Sequence, residues 1–293
     1  MNTRREYLFA ATSILCWGTV ATVSKLIMNS MDAMYALAFS FLAATLFLLI
    51  YNWKKGYLAK IRQLPVKTIF RMMVVGSLGV LFYNLFLLLG TALLPAQTAF
   101  VINDLWPALI IVFSCLILKE PMTLGKFVAV LFSFLGIIVV TTNGDIHNLL
   151  GGSLMGMMYS LMAALCYGLY CTLNKREDYD KNLSVFLSYA SGTVVAFCWV
   201  LVRGSFRLPS LGESAGLLWN GVICNALPYL TWALALDMGN TAVIANLAYL
   251  TPFVSLIATH FILGEPVTVY SIAGLLLIVL GIVIQFIMQR GKN

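Results

Sequence analysis

Residues 107–123 read PALIIVFSCLILKEPMT, and residues 252–268 read PFVSLIATHFILGEPVT. Each segment begins with proline and ends in Leu-x-Glu-Pro-x-Thr, and the two lie 145 positions apart throughout. The same separation relates Gly136 to Gly281 further along the chain. A fixed separation of about half the chain length indicates two copies of one structural unit. In a chain this apolar, two copies favour a transporter built from repeats.

The composition indicates that most of the surface faces lipid. Hydrophobic residues make up 61% of the 293 residues and charged residues only 10%, with a mean hydropathy of +0.94. A soluble domain has about 25% charged residues. The six cysteines all lie in apolar stretches without metal or redox spacing, so we interpret them as packing residues. No metal and no cofactor are predicted.

Ten apolar segments are long enough to span roughly 30 Å of hydrocarbon, and because strands with free edges cannot span lipid, we expect helices. The ten predicted spans are 7–28, 33–51, 72–91, 96–118, 124–141, 153–174, 184–202, 215–236, 240–263 and 268–288. The first lacks a small-residue cleavage site and is followed by further spans, so it is interpreted as a retained helix.

The loop charges predict the orientation. With the N-terminus in the cytoplasm, fifteen lysines and arginines fall on the inner side: 4, 5, 54, 55, 60, 62, 67, 71, 119, 126, 175, 176, 181, 290 and 292. Only Arg203 and Arg207 fall outside, and Lys25 lies within the first span. The net charge of +7 therefore indicates a membrane topology, with both termini in the cytoplasm, and no nucleic-acid partner.

Each half contains five spans, and because five is odd, the second copy must run through the membrane in the opposite direction. A second match supports the duplication, since residues 15–18 (LCWG) correspond to residues 165–168 (LCYG). We predict an all-α integral membrane protein with ten transmembrane helices, arranged as two inverted five-helix repeats, 7–141 and 153–288, around a central cavity. In such proteins the binding site lies near the midplane between the halves.

The chain resembles the drug/metabolite transporter superfamily, specifically its EamA-type branch, in its ten spans, its Trp17-Gly18 pair and its Glu120-Pro121 turn. Residues 103–107 (NDLWP) and 170–175 (YCTLNK) more narrowly resemble the aromatic amino acid exporter subgroup. The resemblance implies a basket of helices, a cavity lined mainly by spans 1, 3, 4, 6, 8 and 9, and export of small metabolites or drugs. The subgroup has an aromatic residue in place of Asp104, so the substrate stays open.

Asp104 is the outstanding ionisable residue within a span, and such residues are functional hypotheses by default. Its counterpart in the second copy is Tyr249, so the carboxylate is not a repeated structural element. It could accept a proton and couple transport to the proton gradient, or it could pair with a substrate ammonium. Alternatively, it forms a structural salt bridge with Lys25, which is itself a candidate for proton coupling or a residue that snorkels to the interface.

Aromatic residues with polar neighbours mark the predicted cavity. Asn225, Tyr229 and Trp232 fall at i, i+4 and i+7 of one span, on one helical face. Prolines inside spans indicate locally broken helices, where backbone groups can meet a substrate. The predicted substrate-binding residues are Trp17, Tyr83, Asn84, Asn103, Asp104, Trp106, Tyr167, Tyr170, Asn225, Tyr229, Trp232 and Tyr249.

We expect a secondary transporter of the cytoplasmic membrane that exports small metabolites by alternating access, foremost aromatic or hydrophobic amino acids. The alternative is an exporter of organic cations or drugs coupled to protons through Asp104. An intramembrane enzyme would need clustered His, Asp or Glu at the midplane, and a channel would need a ring of like groups. No phosphate-binding loop indicates nucleotide-driven pumping. We expect a monomer or weak homodimer in the lipid bilayer.

Overall fold

The computed structural model describes residues 5–20, 22–23, 27, 31–94, 96–142, 144–145, 147, 153–204, 206–264 and 267–290. Over these residues the ordered backbone is helical, and no strand occurs in this part of the chain. The prediction of an all-α membrane protein is confirmed. The apolar composition explains this choice, because helices satisfy every backbone hydrogen bond within one segment and can therefore lie in lipid.

The helices follow the predicted spans closely. They are α1 (Arg5–Trp17), α2 (Ala33–Lys54), α3 (Tyr57–Ile61), α4 (Val66–Ser77), α5 (Tyr83–Leu93), α6 (Ala96–Asn103), α7 (Trp106–Ile117), α8 (Leu124–Thr142), α9 (Leu154–Arg176), α10 (Lys181–Val202), α11 (Leu211–Leu218), α12 (Leu227–Met238), α13 (Thr241–Leu247), α14 (Thr251–Leu263) and α15 (Val269–Arg290). Six continuous helical stretches are long and apolar enough to cross a membrane in the described part of the chain. Shorter apolar helices cover 106–117, 124–139 and 269–284.

Side-chain caps explain where several helices begin. Asp32 accepts hydrogen bonds from the amides of Met34 and Tyr35 at the start of α2. Asp180 accepts one from the Asn182 amide at the start of α10, its counterpart in the second half. These carboxylates satisfy amides that have no partner within the helix and also favour the positive end of the helix dipole.

Left-handed residues end two helices at equivalent positions of the repeated segment. Lys119 has φ of 58° after α7, and Gly264 has φ of 73° after α14. The Gly264 amide donates to the carbonyl of His260, which closes the last helical turn. A left-handed residue past the helix end is a common way to finish a helix. The repeated segment therefore encodes a helix and its stop.

Two long helices contain π-helical segments in their middle, at overlapping positions of the two halves. Leu78–Phe82 joins α4 to α5, and Trp219–Ala226 joins α11 to α12. A π segment adds a residue to the turn and changes which side chains face the interior, and such segments are frequent at functional sites. Tyr83 directly follows the first π segment, and Pro228 and Tyr229 lie in the first turn after the second.

Two further interruptions also fall at equivalent positions. A turn at 104–105 separates α6 from α7, and the 3₁₀ segment Ala248–Leu250 separates α13 from α14. Prolines stand at the start of each helix that follows, Pro107 in α7 and Pro252 in α14. Proline suits the first turn because its missing amide hydrogen would have no helical partner there. The prediction that prolines mark local breaks is confirmed.

The helices pack in pairs that connect the two halves of the sequence. The most extensive contacts join α8 to α15, α9 to α5, α10 to α2 and α1 to α12. Small residues permit close approach in two equivalent places, because a Cβ on Gly76 would overlap Ser188 and a Cβ on Gly221 would overlap the Ser40 backbone. These contacts bring α1, α5, α7, α9 and α12 around one common interior.

Candidate functional site

Trp17 lies at the centre of a cluster of aromatic rings. Its ring centroid is 5.8 Å from Trp106, 6.3 Å from Tyr167, 6.2 Å from Tyr229 and 5.3 Å from Trp232. Most of these pairs meet edge to face, the arrangement that aligns the positive edge of one ring with the negative face of the next. Four helices therefore contribute to one aromatic centre.

The cluster extends through two further tyrosines from the predicted set. Tyr83 lies 4.9 Å from Tyr167, and Tyr170 lies 5.9 Å from Tyr167 and 6.5 Å from Tyr229 between ring centroids. We call these seven residues the aromatic cage: Trp17, Tyr83, Trp106, Tyr167, Tyr170, Tyr229 and Trp232. The first three come from the first half of the chain and the other four from the second half. Seven of the twelve predicted binding residues are thus brought together.

Three polar groups of the aromatic cage are buried without a hydrogen-bond partner in the described structure. They are the hydroxyls of Tyr167 and Tyr170 and the indole Nε1 of Trp232. Their side chains are almost completely buried, at 3%, 2% and 1% exposure. Burying a polar group unpaired costs about 1–3 kcal/mol, so folds usually avoid it. A concentration of such groups in one place therefore indicates a site that receives a ligand.

Asp104 lies beside the aromatic cage, at the turn between α6 and α7. It lies within electrostatic range of Tyr83, which belongs to the cage, and of Tyr249 at the break in the other half. The preceding residue, Asn103, donates from Nδ2 to the Tyr83 hydroxyl at 3.5 Å, while its Oδ1 is buried and unpartnered. The carboxylate and the free amide oxygen form an acceptor-rich side of the site.

Tyr249 lies outside the aromatic cage. It packs in a separate buried cluster with Ile137, Phe253, Ile278 and Ile282. The break at Ala248–Leu250 places Tyr249 near Asp104, although the two residues lie on different halves. The repeated positions 104 and 249, which differ in sequence, therefore lie near each other.

The two remaining predicted asparagines hold the structure around the cage. Asn225 accepts from the Tyr189 hydroxyl at 3.1 Å and donates to the Asn220 carbonyl at 2.8 Å. Asn84 donates to the Val80 carbonyl at 2.7 Å. The Asn220 and Val80 carbonyls, which accept these hydrogen bonds, both lie in π segments. Backbone hydrogen bonding departs there from the α pattern.

Lys25 lies outside the described residues, so its predicted pairing with Asp104 stays a prediction. Among the described residues, no lysine or arginine lies within salt-bridge distance of the Asp104 carboxylate. Likewise, within those same residues no three His, Cys, Asp or Glu side chains are grouped as metal ligands would be.

Sequence reasoning missed two residues that touch the cage. Tyr189 lies 5.3 Å from Tyr229 between ring centroids and 5.5 Å from Phe41. Cys171, interpreted from sequence as a packing residue, places its thiol beside Tyr167 and Trp232. Cys171 follows Tyr167 by four positions on α9, so helical periodicity could have found it. Tyr189 offered no such signal, because only the packing of α10 brings it to the cage.

A second polar region lies among the loops predicted to be cytoplasmic, and we call it the paired end. Ion pairs there join Lys60 to Asp180 at 3.2 Å and Arg71 to Glu177 at 2.8 Å, each linking one half to the other. Two further ion pairs at this end join Lys126 to Glu120 at 3.2 Å and Lys181 to Asp237 at 3.3 Å. The lysines and arginines that predicted topology thus also connect the halves.

Glu120 of the repeated segment has several partners at the paired end. Its Oε1 accepts from the Thr241 hydroxyl at 2.6 Å and its Oε2 from Lys126 at 3.2 Å. Desolvation by burial acts to raise the pKa of Glu120, but hydrogen bonds from Thr241 and Lys126 outweigh it, so the pKa lies below its ordinary value. Because Thr241 begins α13, this carboxylate fastens one half to the other.

The fold and the site together define a class, a helical membrane transporter whose polar and aromatic residues meet between two halves. Comparison with known families identifies it further. The model of the EamA-like transporter family matches residues 4–142 and again residues 154–287. The chain belongs to the EamA-like transporter family.

Several relatives agree with this class. An uncharacterized transporter of Archaeoglobus fulgidus is 28% identical over 96% of this chain and 98% of its own. The uncharacterized transporter YvbV of Bacillus subtilis is 28% identical over 95% of this chain and 90% of its own. A solved crystal structure matches with a TM-score of 0.85 at 18% identity, covering 98% of both chains. That last likeness concerns the fold alone.

Proposed function

We propose that the protein is a secondary active exporter of amino acids with aromatic or other hydrophobic side chains, within the function expected of the aromatic amino acid exporter subgroup. The observation that carries this proposal is the aromatic cage with Asp104 beside it. Rings from both halves meet in one place, so a substrate bound among them would contact both halves at once. Such a position is what a carrier that alternates between two openings requires.

The chemistry of the cage matches the two parts of such a substrate. Aromatic rings such as Trp17 and Trp106 offer edges and faces to an apolar or aromatic side chain. An ammonium is attracted to the face of a tryptophan or tyrosine ring and to a carboxylate. Asp104 provides that carboxylate at the margin of the cage, next to Tyr83.

We propose further that residues 7–141 and 153–288 are inverted repeats. The matched π segments, Leu78–Phe82 and Trp219–Ala226, support this division. The family model also matches the chain twice, with nearly the same bounds. The packing pairs support it as well, because exchanging the halves turns the pair α1–α12 into the pair α9–α5, and both pairs exist.

Alternating access requires contacts between the halves that can open at small cost. The pairs Lys60–Asp180 and Arg71–Glu177 have this character, because their basic side chains are 55% and 52% exposed. Exposed ion pairs contribute only about 0–1 kcal/mol each. We propose that these contacts close the path toward the predicted cytoplasmic side in this structure and separate when that side opens.

The second candidate function is export of organic cations or drugs coupled to protons through Asp104. It is favoured by one observation, the acceptor-rich side made by Asp104 and the free Oδ1 of Asn103. A cation without a carboxylate would use that side and the ring faces alone. Proton coupling would follow if Asp104 released its proton when the cation binds.

Flux into proteoliposomes with the purified full-length chain distinguishes the two candidates. The matched pair is phenylalanine and phenylethylamine, which share ring and ammonium but differ by the carboxylate. We expect uptake of phenylalanine, with and without a pH gradient imposed. Uptake of phenylethylamine alone, dependent on the gradient, would establish the second candidate. If neither these solutes nor a wider panel of amino acids and cations moves, both are wrong.

The topology is also part of the proposal. We propose that the protein lies in the cytoplasmic membrane with both termini in the cytoplasm and acts as a monomer or weak homodimer. The charge distribution of the loops supports this orientation. Cysteine labelling in intact cells tests it, after replacement of the native cysteines. Arg207→Cys should react with a membrane-impermeant maleimide, and Lys54→Cys should react only after permeabilisation.

A further inference from the structure

Three buried polar groups of the aromatic cage can donate hydrogen bonds but have no acceptor among the described residues. The Trp232 Nε1 group can only donate a hydrogen bond, and the hydroxyls of Tyr167 and Tyr170 can donate as well. None of the three finds a partner in the described structure. Each belongs to a side chain more than nine-tenths buried. A ligand that satisfies all three must offer acceptors.

Two of these donors adjoin the same thiol, and the third belongs to a neighbouring ring. Tyr167 and Trp232 both adjoin the thiol of Cys171, and Trp106 contacts both of their rings, at 5.0 Å and 5.5 Å between centroids. The Tyr170 ring lies 5.9 Å from Tyr167. A thiol is a weak hydrogen-bonding group, so Cys171 does not replace a proper acceptor for either neighbour.

Other tyrosines in the same cluster show that the fold supplies acceptors where a hydroxyl serves the structure. Tyr229 donates to the Gly79 carbonyl at 3.2 Å, and Tyr189 donates to Asn225 Oδ1 at 3.1 Å. The hydroxyls of Tyr167 and Tyr170 are as deeply buried as these but are left free. The contrast separates two structural hydroxyls from two that are available to a ligand.

We propose that Tyr167, Tyr170 and Trp232 form a carboxylate subsite built from neutral donors, a proposal that rests on the function proposed above. A carboxylate offers two oxygens with several lone pairs and so can accept from all three groups. Hydrogen bonds to a charged acceptor are the stronger kind. The subsite therefore binds the carboxylate of an amino acid substrate through neutral donors, and no lysine or arginine of the protein takes part.

The other end of the substrate follows from this assignment. With the carboxylate at the donor side, the ammonium lies toward Asp104 and the free Oδ1 of Asn103, next to Tyr83. Tyr167 links the two sides, since its ring contacts Tyr83 at 4.9 Å. The side chain of the substrate is left to the rings of Trp17 and Trp106.

Equilibrium binding to the purified full-length protein tests the subsite. Radiolabelled phenylalanine and phenylethylamine are compared for the natural protein and for Trp232→Phe, Tyr167→Phe and Tyr170→Phe, which each remove a donor and keep a ring. We expect the natural protein to prefer phenylalanine and each variant to lose roughly tenfold of that preference, as expected for one hydrogen bond to a charged group. Tyr35→Phe, which removes a hydroxyl that donates to the Arg207 carbonyl outside the aromatic cage, should keep the preference.

The outcomes separate the two proposals. A preference for phenylalanine that stays unchanged in all three variants overturns the carboxylate subsite and leaves amino acid export standing. Binding of phenylethylamine alone overturns the subsite and favours the organic-cation function. Binding of neither ligand by the natural protein overturns the proposed substrate and the subsite together. Gel filtration of each variant guards against misfolding, and the three independent variants keep the test decisive if one fails to fold.

Discussion

The aromatic cage and the paired end use their polar groups in opposite ways. At the paired end, Glu120 engages Thr241 and Lys126 at once, and Arg71 engages Glu177. In the aromatic cage, the polar atoms of Tyr167 and Trp232 are buried and left without partners. The satisfied polar groups of the paired end stabilise the fold, whereas the unpaired groups of the aromatic cage are available to bind another molecule. Changes in the two regions should therefore have different consequences.

The largest expected effect is on transport, from Asp104→Asn. The change removes the negative charge at the margin of the aromatic cage and keeps the size of the side chain. We expect flux in proteoliposomes to fall at least about tenfold at every pH tested, because a hydrogen bond to a charged partner contributes roughly 1.5–3 kcal/mol. The amount of protein in the membrane should not change.

Asp178→Asn is the matched control, since Asp178 is exposed in the loop before α10. It should transport like the natural protein. Equal, undiminished flux from Asp104→Asn across the pH range would show that the carboxylate is not part of the site.

The next effect is on both stability and transport, from Trp17→Ala. This change removes the ring that contacts four other rings of the aromatic cage. Truncating a large aromatic residue in a packed interior costs about 3–5 kcal/mol, and the cost here is toward or below the lower figure because Trp17 is only partly buried. We expect a clear fall of the melting temperature in detergent and loss of flux, whereas Trp17→Phe should recover most of the stability. If Trp17→Ala melts like the natural protein, the cage does not stabilise the fold.

At the paired end, Glu120→Gln should lower the free energy of unfolding by about 1–3 kcal/mol, because it weakens the bonds from Thr241 and Lys126. Its effect depends on pH in a definite direction. The folded protein lowers the pKa of Glu120, so the contribution is present above the ordinary value of 4.5 and is lost as the pH falls through the folded-state pKa.

The measurement is the difference in melting temperature between Glu120→Gln and the natural protein as a function of pH. The difference should be constant at neutral pH and shrink once the pH falls below about 4.5. Lys60→Gln, which breaks a largely exposed pair, should cost under about 1 kcal/mol. A difference for Glu120→Gln that grows on acidification would contradict the assigned direction.

The smallest expected effect is a gain, from Lys119→Gly. Lys119 holds a left-handed φ of 58°, whereas Gly264 occupies the equivalent position of the second copy. The left-handed conformation costs a residue with a side chain about 1–2 kcal/mol, and part of that gain is offset because glycine is freer when unfolded. We expect a rise of about 1 kcal/mol in stability and unchanged flux. A decrease would show that the exposed Lys119 side chain makes a stabilising contact.

Much of the site could be predicted because the residues that form it are unusual in an apolar chain. Trp17, Trp106 and Trp232 were predicted from their polar or proline neighbours, and the structure brings them together. The period of 3.6 residues fails at the π segments, where Asn225 turns toward Tyr189. A π segment arises from packing and close backbone contact, which leave no pattern in the sequence. For the same reason Tyr189 was not predicted.

The sequence by itself determined that this protein is a helical membrane protein, because a surface with so few charged residues must face lipid and not water. It also determined where helices stop, since proline, glycine and capping aspartate act locally on the backbone. Only the tertiary structure decided which aromatic rings meet, which ion pairs join the halves and which buried donors stay free. Those outcomes depend on contacts between residues far apart in the chain, and local sequence carries no information about distance between helices.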